Sequence, residues 1–154
     1  MSRRPQMTLS IEGMDELIAS LAQFGSKTTA KRLMRGAMNK AAQSLVVAAR
    51  KNAPAETRAL RKAMTRKVIT KGFSMTAVVG PDAAKSGPAP EPGRKRVPRN
   101  YSHLVEFGFV THGQHVPGSR FMERTAEQRG PKAQEVFIRE VGVRIEKELA
   151  KGRS

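Results

Sequence analysis

Between Ser26 and Pro54 the sequence carries a single helical pattern long enough to dominate any fold built around it. Leu33, Ala37, Ala41, Leu45 and Ala48 recur at helical spacing, joined by Met34 and Met38, which predicts a helix from Lys27 to about Asn52. Ser26 can cap its start. Pro54 ends it, because proline lacks the amide and the room to continue a helix. Ala37, Ala41, Ala42, Ala48 and Ala49 leave a low surface on which a second helix can pack closely. The other face carries Lys27, Lys31, Arg32, Arg35, Lys40, Arg50 and Lys51.

The flanking segments are shorter. Met7 to Glu12 alternates apolar and polar residues, a strand pattern ended by Gly13. Met14, Leu17, Ile18, Leu21 and Phe24 then predict a helix closed by Gly25, with Asp15 and Glu16 in the first turn, where the helix dipole favours acids. After Pro54, Thr57 to Met64 predicts one short turn of helix. Thr65–Thr70 and Met75–Gly80 predict a hairpin through Lys71-Gly72-Phe73-Ser74, with Val68 and Val78 as core contacts. Pro81 to Asn100 holds Pro81, Pro88, Pro90, Pro92 and Pro98 and predicts an irregular loop, since proline supplies no ladder hydrogen bond. Tyr101 to Gly108 gathers Leu104, Val105 and Phe107 around Glu106, and a polar turn through His112, Gly113 and His115 follows. Ser119 is placed to cap a helix from Arg120 to about Arg129. Gly130-Pro131 interrupts or bends it, and a last helix runs from Lys132 to Lys151. The expected fold is α+β: a small antiparallel sheet with a hairpin, packed by two N-terminal helices and a C-terminal helix. All 154 residues form one domain, with a long basic loop at 81–100.

Charge narrows the function classes. The net charge is +16, and it is concentrated: Leu17 to Val105 hold 18 Lys and Arg against three acids, Glu56, Asp82 and Glu91. Such a stretch either faces a polyanion or forms a solvated basic face. Its densest run is Arg94-Lys95-Arg96-Val97-Pro98-Arg99. Arg94, Lys95, Arg96 and Arg99 on a flexible loop could meet phosphates without reading sequence, dock on an acidic partner, or stay solvated. Phe73 and Tyr101 are too isolated to stack bases. With no cysteine, disulfides and thiolate metal sites are excluded. No apolar run approaches the roughly 18 residues of a membrane span, and Met1 to Gln6 lacks the apolar stretch of a signal peptide, so a soluble protein made in the cytoplasm is expected. At 38% apolar and 5% aromatic residues the core is thin, which fits a subunit stabilised by neighbours or a partly disordered monomer.

No catalytic constellation appears. His103, His112 and His115 lack the further ligands zinc needs. Glu106 is the only acid in its neighbourhood, which makes no acid–base pair and suggests an arginine partner within or across subunits. No phosphate-cradling glycine motif occurs. Neither an enzymatic activity nor a cofactor nor a metal is expected.

One ordered set of motifs remains: Gly13-Met14-Asp15-Glu16-Leu17, Ala53-Pro54, Thr57 with Leu60, Val79-Gly80-Pro81, Tyr101 through Val105-Glu106-Phe107-Gly108, and Phe121-Met122 after a Pro-containing turn. In order and spacing it resembles the neck and tail-completion proteins of long-tailed bacteriophages, the group that includes the lambda tail-completion protein Z. The resemblance implies a structural virion protein at the head–tail junction, in a ring that is most often sixfold and through which DNA passes. It implies head-closure (stopper), tail-terminator and tail-tube proteins as partners, no membrane, and assembly in the host cytoplasm. A closed ring needs a heterologous interface, for which Tyr101, Glu106, Phe107, Gly108, Phe121 and Met122 are the candidates, with Arg94, Lys95, Arg96 and Arg99 toward the channel. The rival reading is a free, sequence-nonspecific nucleic-acid-binding protein, which accounts for the charge but not for the motifs.

Overall fold

The computed structural model describes residues 5–23, 25–56, 58–82, 84, 87–88 and 95–152, with the side chains of residues 87, 88, 95, 96 and 99 outside that description. The chain opens with strand β1 (Met7–Ser10) and helix α1 (Met14–Gln23), whose Met14 and Ile18 are buried. Phe24, expected on the same face, lies outside the described residues. Helix α2 spans Lys27–Asn52, and the Ser26 hydroxyl accepts the Thr29 amide at 3.1 Å. At the other end the Arg61 Nε donates to the Ala53 carbonyl at 2.9 Å.

The buried stripe of α2 is wider than the sequence pattern. Ala30, Met34, Ala37, Met38, Ala41, Ala42, Leu45, Val46 and Ala49 are all buried, whereas Leu33 and Ala48 are only half-buried. The reason is that α2 is covered on two sides, by the sheet and by the last helix, so its apolar arc spans both.

Helix α3 (Arg58–Ala63) leads into strands β2 (Met64–Lys71) and β3 (Ser74–Pro81); Thr57, expected at the start of α3, lies outside the described residues. The sheet is antiparallel in the order β1-β3-β2, with Leu9 and Val68 both opposite Ala77. Side chains alternate faces along a strand. Met7, Leu9, Val68, Met75, Ala77 and Val79 therefore point to α2, and Val78, opposite Lys67, turns outward instead of joining the core. From the inner face Arg66 reaches α2, where its Nε donates to Asn39 Oδ1 at 2.6 Å and its Nη1 donates to Gln43 Oε1.

Three expectations fail in the second half. The segment 81–100 is not irregular throughout. Two-residue strands β4 (Gly87–Pro88) and β5 (Lys95–Arg96) pair, and helix α4 (Pro98–Phe107) begins on its last proline. Proline breaks a helix interior but suits the first helical position, where its missing amide has no partner anyway. A second hairpin follows, β6 (Gly108–Thr111) and β7 (Gln114–Pro117), where only a polar turn was expected. Then α5 runs unbroken from Phe121 to Gly152, through Gly130-Pro131. Pro131 is exposed, and its cost of about 3 kcal/mol is offset by burial of Phe121, Met122, Ala133, Phe137 and Val141 against α2 and the sheet, at roughly 1.5–3 kcal/mol for each large side chain.

Candidate assembly interface

Helices α4 and α5 meet end to end, and the meeting is built from the residues that stand out in the sequence. The first amides of any helix lack intrahelical acceptors, and its last carbonyls lack donors. Here each helix completes the other. The Glu106 carboxylate, 2% exposed, accepts the Met122 amide through Oε2 at 3.0 Å and the Glu123 amide through Oε1 at 3.1 Å. In return the Ser119 amide donates to the Val105 carbonyl at 2.8 Å and the Arg120 amide to the Glu106 carbonyl at 3.0 Å. The Ser119 hydroxyl also donates to the Val105 carbonyl, at 3.0 Å. Ser119 thus closes α4, and the cap of α5 comes from a carboxylate on the preceding helix. Glu106 bonds backbone amides at the positive end of a helix dipole, where a carboxylate is stabilised, and the arginine that interacts with its charge is Arg120.

Arg120 carries the strained backbone of this join, with φ of +46°. Its guanidinium is raised above the ordinary arginine range first by its hydrogen bond and charge interaction with Glu123, at 2.9 Å, with a smaller contribution from Glu106. Thr125 locks the first turn of α5 to α2: its hydroxyl donates to the Phe121 carbonyl at 2.6 Å and accepts from Asn52 Nδ2 at 2.9 Å.

Between the two helices the chain leaves the body as the β6–β7 hairpin. Its neck is two glycines pressed together. A Cβ on Gly118 would overlap the Glu106 carbonyl oxygen, and one on Gly108 (φ +83°) would overlap the Val116 carbonyl oxygen. The tip is a two-residue turn, His112 and Gly113, both with positive φ, the geometry favoured in tight hairpins. Beyond Gly108 and Gly118 every residue from Phe109 to Pro117 is exposed. Neither face is buried, although Phe109 and Val116 face one way and Val110 the other. With Leu104 and Phe107 at the end of α4, these make five of the eleven large hydrophobic residues exposed among the described residues, gathered within thirteen positions. The run from Phe107 to Ser119 contains no Lys, Arg, Asp or Glu and is the longest uncharged run in the sequence.

The residues singled out in sequence therefore separate by position. Glu106, Phe121 and Met122 are buried at the helix join, Tyr101 is half-buried against the core, Gly108 forms the neck, and Phe107 is 50% exposed beside the hairpin. Arg94 and the side chains of Lys95, Arg96 and Arg99 lie outside the described residues. Among the described residues no group of three His, Asp or Glu could hold a metal ion, and no helix is long and apolar enough to cross a membrane. Sequence reasoning passed over Phe109, Val110 and Val116, whose placement on both sides of His112-Gly113 was the available signal.

The cationic surface lies elsewhere. On α2, Arg35, Lys40, Arg50 and Lys51 are exposed, Lys27 and Lys31 stand over the Phe73 ring at 5.8 and 5.2 Å, and Arg32 pairs with Glu148 of α5 at 3.3 Å. Over the whole of α2 and β2 the sequence has one acid, Glu56, in the connection between them.

Comparison with known families gives a match over more than half of the chain. The HK97-gp10-like family, described as "Bacteriophage HK97-gp10, putative tail-component", matches residues 15–108, from the first turn of α1 to the neck of the hairpin. No curated protein and no solved structure matches.

Proposed function

Because the chain belongs to the HK97-gp10-like family of bacteriophage tail components, we propose that it is a structural protein that completes the tail at the neck of a tailed phage. In this reading six copies form a ring through which the genome passes. The motif order from Gly13-Met14-Asp15-Glu16-Leu17 to Phe121-Met122, which resembles neck and tail-completion proteins such as the lambda Z group, supports a place at the head–tail junction in either role.

The observation that carries the reading is the separation of an uncharged apolar hairpin from a cationic helix face. A ring subunit needs both surfaces. Copies carrying +16 each repel one another, and an uncharged surface lets them meet with little added repulsion. DNA moving through a channel needs many weak, salt-sensitive phosphate contacts and no base readout. The cations of α2, together with Arg94, Lys95, Arg96 and Arg99, supply that attraction. Phe107 and the hairpin meet a neighbour, and Tyr101, Glu106, Gly108, Phe121 and Met122 fix the hairpin's base. Stopper, terminator and tube proteins lie above and below the ring.

Electron microscopy of virions carrying a gold-labelled tag on this chain tests the placement. Label at the neck is expected. Label spread along the tail, or absent from virions, overturns it. The charge also favours a second reading, a free nucleic-acid-binding protein. Submicromolar, steeply salt-dependent DNA binding by the isolated chain would support that reading. Weak binding that grows only in assembled particles supports the neck.

A further inference from the structure

The hairpin has a complementary surface on the same chain, out of its own reach. At the far end of α5 the C-terminal turns meet the end of α1 and the start of α2 around a groove of about 630 Å³. That size falls in the range that takes up several side chains. Leu21, Leu33, Ile145 and Leu149 form its apolar wall, and Leu149 is 57% exposed. Among the described residues that line it, Glu148 is the one charged side chain, already paired with Arg32 at 3.3 Å and Lys151 at 3.5 Å. Leu21, Gly25 and Ser26, which supply part of the rim, fall in a ten-residue run without charge, Leu17 to Ser26.

We infer that the β6–β7 hairpin of one copy seats in this groove of the next copy. Three observations converge on that occupant. A two-stranded hairpin is marginal by itself, and here Phe109, Val110 and Val116 stay 39%, 69% and 37% exposed. The hairpin leaves the body at the N-terminus of α5 while the groove lies at Ile145–Leu149, roughly 40 Å away at 1.5 Å per residue, so a chain cannot fill its own groove. Finally, both surfaces are poor in charge within a chain of net +16, so this pairing brings two copies together with little repulsion. The contact is heterologous, a knob at one end of α5 into a socket at the other. Such contacts repeat around a ring when the rotation closes. The inference rests on the ring reading and adds its joint.

The absence of native cysteine makes the test clean. Val110→Cys and Leu149→Cys place single thiols at positions 69% and 57% exposed, where the fold is little disturbed, and unchanged circular dichroism and melting would verify that. Mild oxidation of the two purified variants mixed together should give disulfide-linked heterodimers. Either variant alone should give none. The Val110→Cys/Leu149→Cys double variant should give a ladder that stops at the ring number. Linkage of Val110→Cys to itself would overturn the contact, as would oligomers by light scattering without mixed cross-links, or a chain that stays monomeric and unlinked. A mixed cross-link whose ladder runs on into filaments would keep the contact and overturn the ring.

Discussion

Glu106 shows how one side chain can decide the shape of a surface far larger than itself. It is buried, it accepts two amides, and it fixes the direction in which the chain leaves α4 and returns as α5. Glu106→Ala strands two donors at a cost of about 1–3 kcal/mol each. A fall in the denaturation midpoint of corresponding size, read by urea titration, is expected. Glu106→Gln keeps one acceptor and should recover part of the loss. Gly118→Ala drives a methyl into the Glu106 carbonyl, a backbone atom that cannot swing aside. Overpacking of this kind costs about 1–3 kcal/mol, and the same titration should register it. The sequence singled out Glu106 and the glycine that follows, but the partner was illegible: two amides sixteen and seventeen residues on carry no side-chain signature.

At the scale of elements, the reliable signals were the long periodic ones. The helix from Lys27 to Asn52, its Ser26 cap and the β2–β3 hairpin stand where the pattern placed them. Proline was the residue whose meaning depended on context. Pro98 opens a helix, and Pro131 sits inside one. Neither is decided locally, because the first depends on the backbone before it and the second on what α5 buries against α2. Pro131→Ala restores one backbone hydrogen bond in an exposed stretch and should stabilise the chain by up to about 3 kcal/mol, seen as a higher melting temperature. No change in melting would mean that the helix already accommodates the proline at no cost. The β6–β7 hairpin escaped the sequence reading because neither of its faces is buried by its own chain, so its alternation is not polar against apolar in the usual way. An element outside the core is least visible to reasoning that assumes every apolar residue serves the core.

Across the whole molecule three surfaces stand out: cations on α2, an uncharged hairpin at one end of α5, and a groove lined by a single charged side chain at the other. That arrangement suits a repeating subunit around DNA. Neutralising Arg35, Lys40 and Lys51 together should flatten the dependence of DNA affinity on salt, by about 0.9 on logarithmic axes for each phosphate no longer neutralised, with melting unchanged. An unaltered slope would remove α2 from the DNA-facing surface. The central claim, a joining role at the head–tail neck, is met most directly by electron microscopy of lysates from the encoding phage with this gene deleted. Filled heads accumulating beside unjoined tails are the predicted result. Complete virions in normal number would contradict it.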